Sequence, residues 1–238
     1  GNGLQTGTCR AAATRYPAVM TEIRPFHLAI PDDRIDDLQR RIDAARWPER
    51  EPVDDWSQGV PLAQLRDLVA YWRNGYDWRA CEARLNRAGQ FLTRIDGLDI
   101  HFLHVRSPHE QALPLLLTHG WPGSVIEFER TIGPLTDPVA HGGRAEDAFH
   151  LVIPSLPGFG FSGKPTRAGW GIEQIARAWA ELMRRLGYAR WVAQGGDWGA
   201  MVTTAIGVHA PQGCAGIHLN MPTAAPTQAA RENPTAED

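Results

Sequence analysis

The sequence predicts an α/β fold in which a mostly parallel sheet carries helices on both faces. Three observations carry that expectation. From residue 91 onward, short apolar runs of strand length alternate with stretches of helical period. At the head of that series an Asp96-Gly97 pair joins two alternating segments, the mark of a tight hairpin. Further on, an apolar run over residues 188–193 meets a carboxylate, Asp197, among glycines, and a helical segment follows at once. A hairpin followed by repeated strand and helix units gives a doubly wound sheet, because each parallel strand needs a crossover that packs back onto a face.

Taken in order, residues 1–20 hold Gly, Thr, Ala and Arg without apolar periodicity, and we expect a disordered tail, an upstream extension of the folded part. Residues 21–90 are expected to form a helical meander. After Pro31, Asp32 and Asp33 supply a negative first turn, Ile35, Leu38 and Ile42 recur at helical spacing, and Trp47-Pro48 stops the run. A second helix opens with Pro61 as its first residue, carries Leu62, Leu65, Leu68, Val69 and Trp72, and breaks at Asn74-Gly75. Residues 77–86 suggest a third. This region holds Trp47, Trp56, Trp72 and Trp78, four of the nine tryptophans. An aromatic ligand cage is one reading of them; an amphipathic appendage packed by large side chains is the more economical one.

Residues 91–222 read as the core domain. The hairpin is followed by the continuous apolar run Leu113–Thr118, a helix over 124–135, a surface excursion over 134–147 and a second buried strand over 149–153. A helix over 172–186 places Ile175, Trp179, Leu182 and Met183 on one side, and a last strand spans 215–219. Residues 223–238 turn to Thr, Ala, Pro, Gln and Glu and show no further element.

Composition excludes several classes. With 238 residues and 43% hydrophobic content the chain can bury a sizeable core. A net charge of −3 without a dense Lys/Arg run argues against nucleic acid or an anionic membrane as the main partner. Cys9, Cys81 and Cys214 are far apart and lack metal-ligand spacing, so neither a disulfide framework nor a metal site is expected, and no cofactor motif occurs. No run reaches the roughly 18 apolar residues of a spanning helix. The default is a soluble, cytoplasmic protein, with a homodimer left open.

The chemistry centres on Gly195, Gly196, Asp197, Trp198, Gly199 and Ala200. Small neighbours let a strand-to-helix turn take a strained backbone that lifts one side chain clear of the sheet. Here that side chain is Asp197. A carboxylate is ionised at neutral pH and attacks without a base, which suits alkyl carbon, as in an epoxide or an alkyl halide, and leaves an ester on the protein. The loop His119, Gly120, Trp121, Pro122, Gly123 and Ser124 follows the apolar run ending at Thr118, at the carboxyl end of a strand where doubly wound sheets bind ligands. The backbone amides of Trp121 and Trp198 would form a two-donor oxyanion hole, with His119, Gly120 and Pro122 lining the pocket. Taken alone, the loop is also consistent with a tight turn in which His119 is simply hydrogen-bonded. Phe159, in the glycine-rich stretch 154–163, is expected to shape the same pocket. Ser162 in that stretch is the rival nucleophile, but Lys164 stands where a G-x-S-x-G frame needs glycine and no helix starts there.

These motifs resemble those of the α/β-hydrolase epoxide hydrolases: the elbow fits small-x-nucleophile-x-small-small, and His119-Gly120-Trp121-Pro122 fits HGxP. Asp37-Leu38-Gln39-Arg40-Arg41-Ile42, then Ala45-Arg46-Trp47-Pro48, Tyr71-Trp72 and Tyr76-Asp77-Trp78, are similar to the helical meander of the microsomal and juvenile-hormone branch. The resemblance covers residues 22–222. It implies an α/β-hydrolase fold and conversion of a small apolar epoxide, with water, to a vicinal diol through an ester on Asp197. It further implies no cofactor or metal and, without an anchor helix, a likeness to soluble bacterial members. It also implies a lid with tyrosines, an acid and a base histidine after the nucleophile. No tyrosine follows Tyr188, His209 and His218 fall in a helix and a strand, and Glu232, Glu237 and Asp238 lie in an unpatterned stretch. The fold is therefore expected to be incomplete at its C-terminus, residues 223–238 beginning the lid, in a fragment or in a natural truncation. Two rivals stay open: a haloalkane dehalogenase, in which the Trp after the nucleophilic Asp binds halide, and a non-catalytic or partner-dependent α/β-hydrolase domain.

Overall fold

The computed structural model describes residues 22–223 together with Gln228 and Glu232. The tail expected over residues 1–20 and nearly all of the stretch 223–238 lie outside the described residues. The strands are β1 (Ile23–Phe26), β2 (Gln90–Ile95), β3 (Leu98–Val105), β4 (Leu113–Thr118), β5 (Phe149–Pro154), β6 (Trp191–Gly195) and β7 (Cys214–Leu219). The helices are α1 (Asp32–Asp43), α2 (Leu62–Asn74), α3 (Trp78–Arg87), α4 (Glu129–Thr136), α5 (Ile172–Arg185) and α6 (Trp198–His209).

The strands form one seven-stranded sheet in the order β1-β2-β3-β5-β4-β6-β7. Its first half is antiparallel through β1, β2, β3 and β5. Its second half, β5-β4-β6-β7, is parallel. Asp96 and Gly97 close the hairpin at φ 48° and 82°, two consecutive left-handed residues whose twist matches the strands they join. The sequence pattern leaves Ile23–Phe26 unmarked as a strand, since four residues containing an arginine and a proline show no alternation. Pro25 is tolerated there because, among the described residues, β1 is an edge strand paired only with β2.

Helices cover both faces. Trp179, Leu182 and Met183 of α5 and Val202 and Ile206 of α6 pack on Phe102, Leu116 and Val152. Burying side chains of this size contributes about 1.5–3 kcal/mol each. On the other face Leu85 of α3 and Val125 meet Leu103, Leu115, Leu151 and Ile153. Odd and even residues of β4 thus serve opposite layers, as the pleat requires. The helix expected over 124–135 is split into a 3-10 turn, Val125–Phe128, and the short α4, with Pro134 inside its last turn.

Besides the buried Cys81 and Leu85 of α3, polar clamps fasten α3 to the segment that follows β1. Asn86 accepts the Leu28 N–H and donates to the Leu28 carbonyl, both at 2.8 Å. Glu82 accepts the Ile30 N–H at 2.7 Å. Among the described residues α1 buries no side chain and α2 buries only Leu62, and Pro61 precedes that helix as its cap. Trp56 is 62% exposed and Trp72 46% exposed, so these tryptophans form neither a closed cage nor a packed interior.

Candidate active site

The strand order reverses at β4, since the chain runs from β4 to β5 on one side and then to β6 on the other. Ligands of open α/β sheets bind in the crevice outside the carboxyl ends of such strands. Both motifs of interest lie there. The loop from His119 leaves the end of β4, and the elbow leaves the end of β6.

Asp197 takes φ 52° and ψ −127°, a conformation that costs a side-chain-bearing residue of order 1–3 kcal/mol. The surrounding glycines hold it there by close approach. A Cβ on Gly199 would stand 2.7 Å from the Thr118 carbonyl carbon and 2.8 Å from the His119 oxygen. One on Gly195 would stand 2.6 Å from the Thr203 hydroxyl and nearer still to the Gly199 carbonyl. Backbone therefore fills the space on both sides of Asp197, and its side chain is exposed above the sheet. Gly120 completes the fit, because a Cβ there would sit 2.7 Å from the Asp197 carboxyl carbon.

Asp197 Oδ1 accepts the Trp121 N–H at 2.7 Å. Hydrogen bonds from the Trp121 and Trp198 amides hold the carboxyl below the usual carboxylate range, so it is ionised at neutral pH. The Trp121 amide is itself aimed by His119. Nε2 of that ring accepts the Leu156 N–H at 3.0 Å, which leaves Nδ1 to donate to the Gly120 carbonyl, also at 3.0 Å. That carbonyl and the Trp121 N–H belong to one peptide group and point in opposite directions. Pinning one aims the other. Burial pushes the His119 pKa down, which keeps the ring neutral and its tautomer fixed.

A groove of about 1090 Å³ opens beside Asp197. Leu115 and Leu117 of β4, Val192 and Gln194 of β6 and His218 of β7 are alternate strand residues on its floor. Trp121, Pro122, Glu127, Phe128 and Leu135 form a wall. Gly120, Trp121, Pro122 and Asp197 are thus brought together as expected. His119 and Phe159 are corrections: neither lines the groove. His119 has no exposed surface, because both ring nitrogens are spent on backbone, and Phe159 packs edge-on against its ring at 5.6 Å between centroids. Glu127 and Asn220, the latter against Gly196, line the groove without having been singled out from sequence. Nothing in the pattern marks Glu127, which falls within the apparent helix over 124–135.

The other candidates are placed elsewhere. Ser162 is buried and donates to the Ser155 carbonyl at 2.7 Å while accepting the His101 N–H at 3.0 Å. His209 pairs with Glu173 of α5. Cys81 and Cys214 are free thiols. Among the described residues no group of His, Cys, Asp and Glu could hold a metal ion, and no helix is long and apolar enough to cross a membrane.

Comparison with known proteins agrees with this geometry. A family model described as alpha/beta hydrolase fold matches residues 114–236, and one described as epoxide hydrolase N terminus matches residues 23–128. The chain belongs to the alpha/beta hydrolase fold family. Over 204 residues it is 66% identical to a protein of Stigmatella aurantiaca (strain DW4/3-1) provisionally named an epoxide hydrolase, covering 86% of this chain and 46% of that one. Over 203 residues it is 41% identical to epoxide hydrolase 1 of Oryctolagus cuniculus, covering 84% of this chain and 45% of the rabbit protein. The α/β-hydrolase chain therefore spans about half the length of these curated relatives. The structure of Aspergillus niger epoxide hydrolase superposes with a TM-score of 0.76 at 35% identity, over 94% of this chain and 58% of the fungal one.

Proposed function

We propose that the protein carrying this chain is an epoxide hydrolase that forms an alkyl ester on Asp197 and releases a vicinal diol. The observation that carries this reading is the state of the Asp197 carboxylate. Oδ1 already lies on the Trp121 amide, and Oδ2 is the oxygen left to attack. Attack on the less hindered epoxide carbon forms the Oδ2–C bond and breaks the C–O bond, and the alkoxide takes a proton from a neighbouring acid. Water then adds to the ester carbonyl carbon. Negative charge develops on Oδ1, which the Trp121 amide already serves, with the Trp198 amide as the carboxyl's other donor, and collapse expels the diol. The Trp121 amide need not move between the steps.

Trp121 and Trp198 contribute through backbone amides in this reading, His119 positions the first of them, and Gly120 and Pro122 bound the substrate. The proton donor and the base for water are assigned to the half of the protein that the relatives possess and this chain does not span. The apolar floor, Leu115, Leu117 and Val192, suits a small uncharged epoxide. The match of residues 23–128 to an epoxide hydrolase N terminus favours epoxide over alkyl halide as the electrophile. The same reading is of a cytoplasmic enzyme that uses water and no cofactor, and it admits a homodimer.

A single turnover of styrene oxide by excess complete protein in ¹⁸O-water tests it. The label is expected in the Asp197 carboxylate, read by peptide mass spectrometry, because water attacks the ester carbonyl. Asp197→Ala is expected to lower diol formation by about 10⁴-fold or more. Label entering the diol directly, or full turnover by the alanine variant, overturns the mechanism.

A further inference from the structure

The glycines of the elbow leave room for different neighbours. Beside Gly195 and Gly199 that room is taken mainly by backbone. Beside Gly196 it is taken by a side chain: a Cβ there would stand 2.6 Å from Oδ1 of Asn220, 3.1 Å from its Nδ2 and 3.2 Å from its Cγ. Gly196 does not take a positive φ, so its backbone conformation does not call for glycine. The missing side chain, one step before the nucleophile, is what lets the Asn220 amide lie against the elbow.

Strand pairing brings Asn220 there. β7 runs parallel to β6 with Leu219 opposite Gly195, so the next residue falls beside Gly196. Because β4 and β7 lie on opposite sides of β6, Asn220 flanks the elbow on the side away from the loop that supplies the Trp121 amide. It is exposed and lines the groove with Asp197. Among the described residues its side-chain amide makes no hydrogen bond. A polar group without a protein partner, beside a carboxylate in a groove floored by Leu115, Leu117 and Val192, is placed to hold a molecule that comes to Asp197.

The chemistry decides which molecule. Attack on the epoxide uses the Asp197 carboxylate itself and needs no further acceptor beside it. The second step does. Water that adds to the ester carbonyl must turn a lone pair toward Cγ, and its two hydrogens then need two acceptors. One is the base, assigned above to the half of the protein this chain does not span. A side-chain carbonyl can be the other without setting a second negative charge beside the developing oxyanion. The Trp121 amide holds Oδ1 from the β4 side, which leaves the β7 side, where Asn220 lies, to the incoming water.

We infer that Asn220 is a catalytic residue of ester hydrolysis: its side-chain carbonyl accepts one hydrogen of the water that adds to Cγ of the Asp197 ester. The water oxygen bonds to Cγ, its other hydrogen goes as a proton to the base, and collapse breaks the Cγ–Oδ2 bond, the diol oxygen taking that proton back. The hydrogen held by Asn220 stays on the new carboxyl group and is lost as Asp197 ionises. This inference rests on the ester mechanism proposed above.

The test follows single turnovers of styrene oxide by excess complete protein, in wild-type form and as Asn220→Ala, Gly196→Ala and the double variant, with the ester on Asp197 read by peptide mass spectrometry after rapid quenching. In Asn220→Ala the ester is expected to form within about twofold of the wild-type rate and to decay about tenfold more slowly, the weight of one hydrogen bond in the transition state. Where decay limits turnover, kcat and KM should fall together and kcat/KM should hold, a split that general damage to the site does not produce. Gly196→Ala, whose methyl meets the Asn220 amide first, should slow decay in the same way and keeps the test alive if the first variant does not fold. The double variant should decay no more slowly than Asn220→Ala, since Gly196→Ala acts only through an amide that is then gone. Decay at the wild-type rate in Asn220→Ala overturns the inference, as does equal slowing of formation and decay, or a double variant slowed by the product of the single effects. A wild-type protein that forms no ester on Asp197 removes the mechanism itself and this inference with it, whereas ester that forms and decays normally in the variants removes only the role of Asn220.

Discussion

The turns that follow β5 and β6 flank β4 on opposite sides, both are rich in glycine, and each carries a polar residue that the sequence offers as a nucleophile. After β6 the chain lifts Asp197 into the open at φ 52°. After β5 it sinks Ser162 beneath the surface, between the His101 N–H and the Ser155 carbonyl. Gly158 and Gly160 at φ 84° and 50° give the second turn at least as much conformational freedom as the first. What differs is the element that follows. Helix α6 starts at Trp198, and Gly199 presses it against the end of β4, so the side chain before it has only one direction left. After β5 no helix forms before Ile172, and the Gly158 N–H reaches back to the Gly163 carbonyl at 2.9 Å to close a loop that tucks its serine under. Glycine permits both outcomes; contact with a neighbouring strand decides which occurs.

That contrast can be broken at its glycines. Gly199→Ala forces a Cβ against two backbone carbonyls that have no rotamer to change, and we expect a loss of about 3 kcal/mol or more in denaturant unfolding of the complete protein. Gly158→Ala meets only Pro165 at 3.9 Å, so its cost is backbone strain alone, about 1–2 kcal/mol. Equal losses at the two sites would sink the account in terms of close approach.

Next in size is a pH effect confined to the buried turn. His101 donates from Nε2 to the Gln90 side-chain oxygen and takes the Ser155 hydroxyl at Nδ1, both at 2.9 Å. Burial lowers its pKa to about 4. An unfolded histidine titrates near 6.5, so between these values the unfolded chain binds a proton that the folded one refuses. Stability from this group is complete above about pH 6.5 and declines as pH falls toward 4, by roughly 3 kcal/mol in the limit. Urea titrations across that range should show the decline, and His101→Gln should flatten it relative to the remaining buried histidines. Asp197 behaves otherwise, since its two amides lower its pKa and keep it charged through the same window. Acid should therefore weaken the fold before it neutralises the elbow.

How much of this was legible beforehand follows the range of the interactions involved. The elbow, the hairpin at Asp96-Gly97 and the apolar runs of β4, β5 and β6 were readable because each is decided by residues adjacent in sequence. β1 was not, because its pairing with β2 joins residues up to 70 positions apart, as in Ile23 with Thr93, and its own four residues carry no pattern. His119 was expected to line the pocket on the strength of its motif. Its burial depends on the Leu156 N–H, which is supplied by a loop beyond the next strand. Glu127 escaped notice for a related reason: the 3-10 turn that places it on the groove looks like the opening of an ordinary helix.

The smallest effects separate the two turns most cleanly. Ser162→Ala leaves a buried N–H on His101 and a buried carbonyl on Ser155 without their partner, at a cost of about 1–3 kcal/mol. It touches no residue of the groove, so ester formation on Asp197 should be unaffected. Asp197→Gly should do the reverse. Glycine adopts φ 52° and ψ −127° without the penalty an aspartate bears, and Trp121 and Trp198 are exposed residues whose amides are expected to take water as partner when the carboxylate is gone. The balance is a gain of about 1 kcal/mol in stability together with complete loss of ester formation. Paired unfolding and single-turnover measurements on these two variants would show stability and activity moving apart in opposite directions. A destabilised Asp197→Gly protein would mean that the elbow stores no strain and that its carboxylate holds the fold together as the buried serine does.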